Sequence, residues 1–233
     1  MPKTKTDSQP EATPHPTRRN LYWLTIQFIL RMFFTLRFRY RARGLENIPD
    51  SGGGLVLSNH QSSLDPLLIG LPLSRPVSFL ARDTLFPIPV MGHILRKTYV
   101  MPINRDAAST ATIRTAVGRM KHGFLVGIFP EGTRSRDGKI GKIKPGFIAL
   151  ARRSGLPVFP VGIAGANGCM PSGSIWPRQG HIHVVFGEPL SQDDLADHLK
   201  KGREEELTAL IHERLTACQQ AAEDWRSREM SGS

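Results

Sequence analysis

Read along the chain, the apolar positions change period several times, and each change marks an element. Short apolar runs suited to buried strands recur at 54–58, 77–81, 98–103, 124–129, 157–163 and 181–186. Phe38 to Arg43 alternates apolar residues with arginine, the pattern of an edge strand. Helical spacing lies between several of these runs. Asp106 to Lys121 sets Ile113, Ala116, Val117 and Met120 on one face, and a helix from Pro145 to Ser154 is stopped by Gly155. Arg203 to Trp225 is a long amphipathic stretch with Leu207, Leu210, Ile211, Leu215 and Cys218 on its inward side. Strands alternating with helices predict an α/β fold, a single domain whose mostly buried mixed sheet is flanked by helices. No internal repeat is visible.

The two ends have their own patterns. Residues 1–19 are polar and proline-rich, the composition of a disordered tail. Residues 20–36 hold a strongly apolar helical stretch from Leu21 to Phe34, with Arg18 and Arg19 before it and Arg37, Arg39, Arg41 and Arg43 after it. A helical span needs about 20 apolar residues; this run is shorter and is interrupted by Arg31. It lacks the small-residue cleavage site of a signal peptide. Two readings fit it: a helix lying in the membrane interface with aromatic and basic anchors, or a core helix with ordinary surface arginines. The first is the expectation. Residues 37–202 then form the α/β domain. Residues 203–233 form a C-terminal amphipathic helix packed on it, with a frayed end.

Composition narrows the class. A chain of 233 residues can bury one good core. A formal net charge of +11 calls for an anionic partner. The aromatics do not interleave with the cations as in RNA-binding signatures, and there is no helix-turn-helix or zinc pattern, which argues against nucleic acid. An anionic membrane surface is the expected partner, with the protein peripheral on the cytoplasmic face of the cell membrane. Cys169 and Cys218 form no metal or redox pattern, so a reducing compartment and no metal are expected. No Gly-x-Ser-x-Gly nucleophile elbow occurs.

Two segments carry candidate chemistry. In Ser58-Asn59-His60-Gln61-Ser62-Ser63-Leu64-Asp65-Pro66, an imidazole and a carboxylate lie five positions apart. Histidine titrates near neutrality and can take a proton from an alcohol, while a carboxylate on its other nitrogen fixes the tautomer. On one helix, five positions would turn the side chains roughly 140° apart. The pair can meet only if His60 precedes the helix and Asp65 stands near its start. Asp before Pro also serves simply as a helix start, so this pair alone leaves both readings open. The second segment follows the apolar run 124–129: Pro130-Glu131-Gly132-Thr133-Arg134-Ser135-Arg136-Asp137-Gly138-Lys139. Glycines let backbone amides approach phosphate oxygens, and arginine meets those oxygens with two parallel donors. A solvated basic loop would look the same. His93, His122, His181, His183 and His212 sit in no comparable motif and are read as structural.

Together the segments resemble the glycerolipid acyltransferase family, of the 1-acylglycerol-3-phosphate acyltransferase type. Asn59-His60 through Asp65 resembles its first motif, NH-x4-D, and Phe129 through Ser135 matches its third, FPEGTRS. Pro157-Val158-Phe159-Pro160-Val161 is similar to its fourth, and Leu45-Glu46-Asn47-Ile48-Pro49 to its lead-in. The second motif, Gly-x-x-Phe-Ile-x-Arg, is half present: Ile103 and Arg105 match, while Tyr99 and Pro102 replace the glycine and phenylalanine. The resemblance covers about residues 40–190. It implies an enzyme that moves a fatty acyl group from acyl-CoA or acyl carrier protein to the sn-2 hydroxyl of lysophosphatidic acid, with no bound cofactor. His60 and Asp65 would be catalytic. Arg105, Glu131, Gly132, Thr133, Arg134 and Lys144 would bind the phosphorylated acceptor, with Glu131 either meeting a glycerol hydroxyl or bracing the loop. Two other readings remain: an acyltransferase for glycerol-3-phosphate or another lysolipid, and a non-catalytic lipid-binding protein.

Overall fold

The structure, a computed structural model, describes residues 21–103, 110–171, 173–174 and 176–232. The proposed tail 1–19 and the segment 104–109, which includes Arg105, lie outside the described residues. From the N-terminus the elements are α1 (Leu21–Phe38), β1 (Arg41–Arg43), β2 (Gly54–Ser58), α2 (Asp65–Gly70), β3 (Val77–Arg82), α3 (Pro89–Lys97) and β4 (Met101–Ile103). There follow α4 (Thr110–Lys121), β5 (Leu125–Ile128), α5 (Gly146–Ser154), β6 (Val158–Ala164), α6 (Ala166–Cys169), β7 (His183–Phe186), α7 (Gln192–Leu195) and α8 (Glu204–Ser231).

The strands form one sheet in the order β1-β7-β6-β2-β5-β3-β4. Every pairing is parallel except β6 with β7, so the sheet is mixed as expected. Side chains on a strand alternate between faces. On β2, Val56 enters the core under α1 and α2, while Leu55 and Leu57 enter the core under α4, α5 and α8. Both faces are covered, which is why these strands read as unbroken apolar runs. Leu207, Ile211, Leu215 and Cys218 of α8 are buried, and Leu210 is half-buried against the same core. Helix α8 continues past the expected end at Trp225, to Ser231.

The N-terminal helix has two apolar faces. Trp23, Phe34 and Phe38 are buried against the domain, and the Gln27 amide donates to the carbonyls of Leu71 and Leu73 at 3.0 and 2.8 Å. Phe28, Met32 and Leu36 stand on the opposite face, 68%, 50% and 74% exposed. The core-helix reading therefore holds for one side only. Among the described residues no helix is long and apolar enough to cross a membrane.

Two expectations shift, and one helix was not foreseen. The edge strand expected at Phe38–Arg43 is only Arg41–Arg43, because α1 continues through Phe38 and burial of that ring in the core favours the extra turn. The run expected as a strand from 98 pairs only from Met101, because Tyr99 has a left-handed backbone at φ 65°. Helix α3 was not legible as a helix: Val90 and Met91 are exposed and Ile94 and Leu95 only half-buried, so its pattern does not mark a core.

Candidate active site

The carboxyl ends of β2 and β5 lie side by side at the centre of the sheet. From β2 the chain crosses to β3, and from β5 it crosses to β6 on the opposite side of β2. In open α/β sheets such a reversal leaves a crevice where ligands bind. His60 lies two residues past β2, and Glu131 three residues past β5.

The segment 59–65 is clamped from several sides. Asn59 acts as an extra rung on β6: its side-chain amide donates to Ile163 O at 2.9 Å and its carbonyl oxygen accepts from Ile163 N at 2.8 Å. Asp65 opens α2 and is fully buried. Its Oδ2 lies 2.8 Å from His60 Nδ1, and it accepts from the backbone amides of Gln61 and Ser62 at 2.6 and 2.7 Å. The carboxylate thus points back to the loop, not forward to the helix amides. With Nδ1 donating to Asp65, the imidazole keeps Nε2 as a proton acceptor. Burial pushes the Asp65 carboxyl above its usual range, while the bonds from His60 and the two amides oppose that rise.

Packing orients the ring as well. The Phe129 ring stacks on His60 with centroids 4.0 Å apart, and Phe79 stacks on the far side of Phe129 at 5.7 Å. The imidazole side chain is 15% exposed, enough for one edge to meet a ligand.

Both carboxylate oxygens of Glu131 bond backbone amides of the site loops. Its Oε1 accepts from the backbone amide of His60 at 2.8 Å and its Oε2 from that of Gly141 at 2.9 Å. Ser135 N in turn donates to His60 O at 2.7 Å, so the Pro130–Gly141 loop is tied to the β2 segment at several points. Burial raises the Glu131 carboxyl pKa, with the two amide bonds acting against it.

The cations lie on the same rim. Arg134 is half-buried, and its Nη1 donates to Ser63 Oγ at 2.5 Å, beside the His60 loop. Lys144 is exposed and folds over Gly132, where a Cβ would lie 2.9 Å from Lys144 Nζ. Gly132 has φ +69°, a left-handed backbone that favours glycine at this turn. Gly132 and Thr133 are exposed immediately before Arg134 in sequence. Of the residues expected in the site, Arg105 alone lies outside the described residues. Sequence reasoning missed Asn59, Ser63 and Phe129 as supports. All three stand inside the two motifs, yet their partners are distant in sequence. Among the described residues no group of three or more His, Cys, Asp or Glu side chains is placed to hold a metal.

Where the second motif departs from the family pattern, the backbone keeps the shape a glycine would supply. Tyr99 stands at the glycine position with φ 65°. Its carbonyl accepts from Ser78 Oγ at 2.7 Å and from Arg119 Nη1 at 2.5 Å, and its ring packs with Trp23 and Phe124. A left-handed non-glycine residue costs about 1–2 kcal/mol, and it persists when its surroundings over-determine it.

Residues 39–164 match the acyltransferase family model. A chloroplastic 1-acyl-sn-glycerol-3-phosphate acyltransferase of Brassica napus is 35% identical over 64% of this chain and 44% of its own length. A 1-acyl-sn-glycerol-3-phosphate acyltransferase of Bacillus subtilis is 27% identical over 80% of this chain and 91% of its own length. The chain thus spans about half the length of the plant relative, but most of the bacterial one. The crystal structure of the 1-acyl-sn-glycerophosphate acyltransferase PlsC from Thermotoga maritima superposes with a TM-score of 0.72 and 28% identity, covering 88% of this chain and 80% of that one.

Proposed function

The chain belongs to the glycerolipid acyltransferase family of the 1-acylglycerol-3-phosphate acyltransferase type, and from that premise we propose that it acylates the sn-2 hydroxyl of lysophosphatidic acid to give phosphatidic acid. The observation that carries the reading is the buried Asp65 on His60 Nδ1, with Arg134 and Lys144 on the adjacent loop. The donor is an acyl thioester, either acyl-CoA or acyl carrier protein. A thioester is already activated, so the reaction needs no enzyme nucleophile. His60 Nε2 takes the hydroxyl proton as the oxygen attacks the thioester carbonyl. Asp65 stabilises the imidazolium. As the tetrahedral intermediate collapses, the C–O bond stays, the C–S bond breaks, and the proton passes from His60 to the leaving sulfur. Arg134, Lys144 and Arg105 are assigned to the acceptor phosphate. A non-catalytic lipid carrier would need no charged acceptor on an imidazole, which favours the enzyme.

The exposed apolar face of α1, bordered by Arg31 and Arg39, supports docking on an anionic leaflet without crossing it. The test is to incubate purified protein with labelled acyl-CoA and a panel of lysolipids, and to identify the acylated product. Phosphatidic acid is expected as the main product. Arg134→Ala and Lys144→Ala should raise the acceptor KM, since a charge-assisted contact contributes about 1.5–3 kcal/mol. Preference for glycerol-3-phosphate, or for a lysolipid without a phosphomonoester, would move the assignment to that acceptor.

A further inference from the structure

The segment between β3 and β4 carries an apolar tip that the proposed chemistry does not use. A short 3-10 turn, Asp83–Leu85, leads into α3. Pro87 through Met91 are all exposed, with Ile88 at 49%, Val90 at 73% and Met91 at 44%. Large apolar side chains grouped at one exposed turn call for a partner.

The tip is pre-shaped. Gly92 is buried, and its amide donates to Ile88 O at 2.6 Å. A Cβ at Gly92 would lie 1.9 Å from Phe86 O, so only glycine lets α3 close on its own lead-in. Arg96 Nη1 donates to the same Phe86 carbonyl at 3.2 Å, and Pro87 and Pro89 each fix a backbone angle. Little conformational entropy is then lost when the tip is buried.

Charge and position indicate which partner. Arg82 is exposed just before the tip, Arg96 bonds Phe86 O beside it, Lys97 is exposed in the last turn of α3, and Asp83 is the one carboxylate between Asp65 and Asp106. The far end of α3 adjoins α1. Thr98 and Val100 line an apolar cavity together with Trp23, Ile26 and Leu30, and Tyr99 packs on Trp23. The tip and the exposed face of α1 therefore belong to neighbouring elements with the same chemistry, apolar surface bordered by cations.

We propose that the α3 tip is a second lipid-contacting element, which with α1 seats the protein on an anionic leaflet at two points. The inference rests on the membrane-surface reading of α1 and extends it. A single interfacial helix leaves the domain free to roll about the helix axis. A second contact removes that freedom and holds the His60 rim at a constant height above the lipid from which a lysolipid enters.

Binding to vesicles needs no turnover, so it tests the inference apart from the chemistry. Sedimentation with phosphatidylglycerol–phosphatidylcholine vesicles should show about tenfold weaker partitioning for Val90→Asp, with an unchanged melting temperature, because one apolar side chain is no longer buried in lipid. Phe28→Asp on α1 is the comparator. A Val90→Cys protein carrying an environment-sensitive fluorophore should shift to the blue on these vesicles; Cys169 and Cys218 are buried and compete little for the label. If Phe28→Asp weakens binding while Val90→Asp stays within about twofold of wild type, or the label stays in water on bound protein, α3 is not a lipid contact and α1 docking stands. If wild type ignores vesicles, both fall. A self-association in solution that Val90→Asp breaks, with no response to lipid, would hand the tip to a second copy and overturn the inference.

Discussion

Asp65 offers one oxygen to three donors, His60 Nδ1 and two backbone amides, in a fully buried position. Its role in the proposed reaction is to hold the imidazole tautomer and balance the imidazolium. Asp65→Asn keeps the shape but removes the charge, and His60→Ala removes the base. Each should lower kcat by about 10²–10⁴-fold with the fold retained. Turnover close to wild type in either well-folded variant would exclude His60 as the base. Glu131 makes a separate prediction. Both its oxygens accept backbone N–H groups, so Glu131→Gln sets an NH₂ against a donor. An unsatisfied buried donor costs about 1–3 kcal/mol, and the damage should appear both as a lower melting temperature and as lower kcat. A variant that loses activity at unchanged stability would instead point to direct contact with the acceptor.

At the scale of elements, stability depends on how α1 and α8 dock on the sheet. Helix α8 lies over β6 and β7, and its C-terminal part reaches His183 of β7. His183 is fully buried, with Trp225 edge-on at 4.5 Å and Glu229 Oε2 3.2 Å from Nε2. Burial holds its pKa below the ordinary 6.5, although Glu229 pulls the other way. Above that value the ring is neutral in both the folded and unfolded states. As pH falls through and below 6.5, the unfolded chain binds the proton first and stability drops, until the folded pKa is passed. Thermal melts between about pH 7 and pH 5 should therefore fall more steeply for wild type than for His183→Gln. Parallel curves would mean that Glu229 fully compensates the burial.

For the whole molecule, a net charge of +11 and an apolar face on α1 act together. Apolar burial supplies short-range affinity, and each cation near an anionic leaflet adds about 1 kcal/mol. Vesicle binding should strengthen with the fraction of anionic lipid and weaken as salt screens the surface. Binding that responds to salt but not to Phe28→Asp would mean a purely electrostatic association. Retention on DNA at moderate salt, without retention on vesicles, would reverse the choice of partner made from the charge.

The strand runs at 54–58, 77–81 and 157–163 were legible because both faces of the sheet are covered, which makes buried strands continuously apolar. The inward stripe of α8 was legible because its other side faces water. Residue type and spacing marked the segments of His60, Asp65 and Arg134 as candidates, and the resemblance to the acyltransferase motifs assigned their roles and that of Glu131. What spacing could not decide was direction. Whether Asp65 caps α2 or turns back to His60 depends on the loop held by Asn59 against β6, a residue about a hundred positions away. Whether Glu131 meets a substrate or braces its loop depends on the His60 and Gly141 amides. Arg75, in no motif, is 2% exposed and donates to the carbonyls of Pro49, Gly52 and Gly123. The two-sided apolarity of α1 gave no clear period, and only its packing separates the face on the domain from the face left open. Local periodicity and residue chemistry follow from short-range sterics and solvation, so the sequence alone determined the central strands, the inward face of α8 and the candidate reactive groups. Partners for buried polar atoms are chosen by long-range packing, so only the tertiary structure decided which carboxylate serves the histidine and which braces the loop.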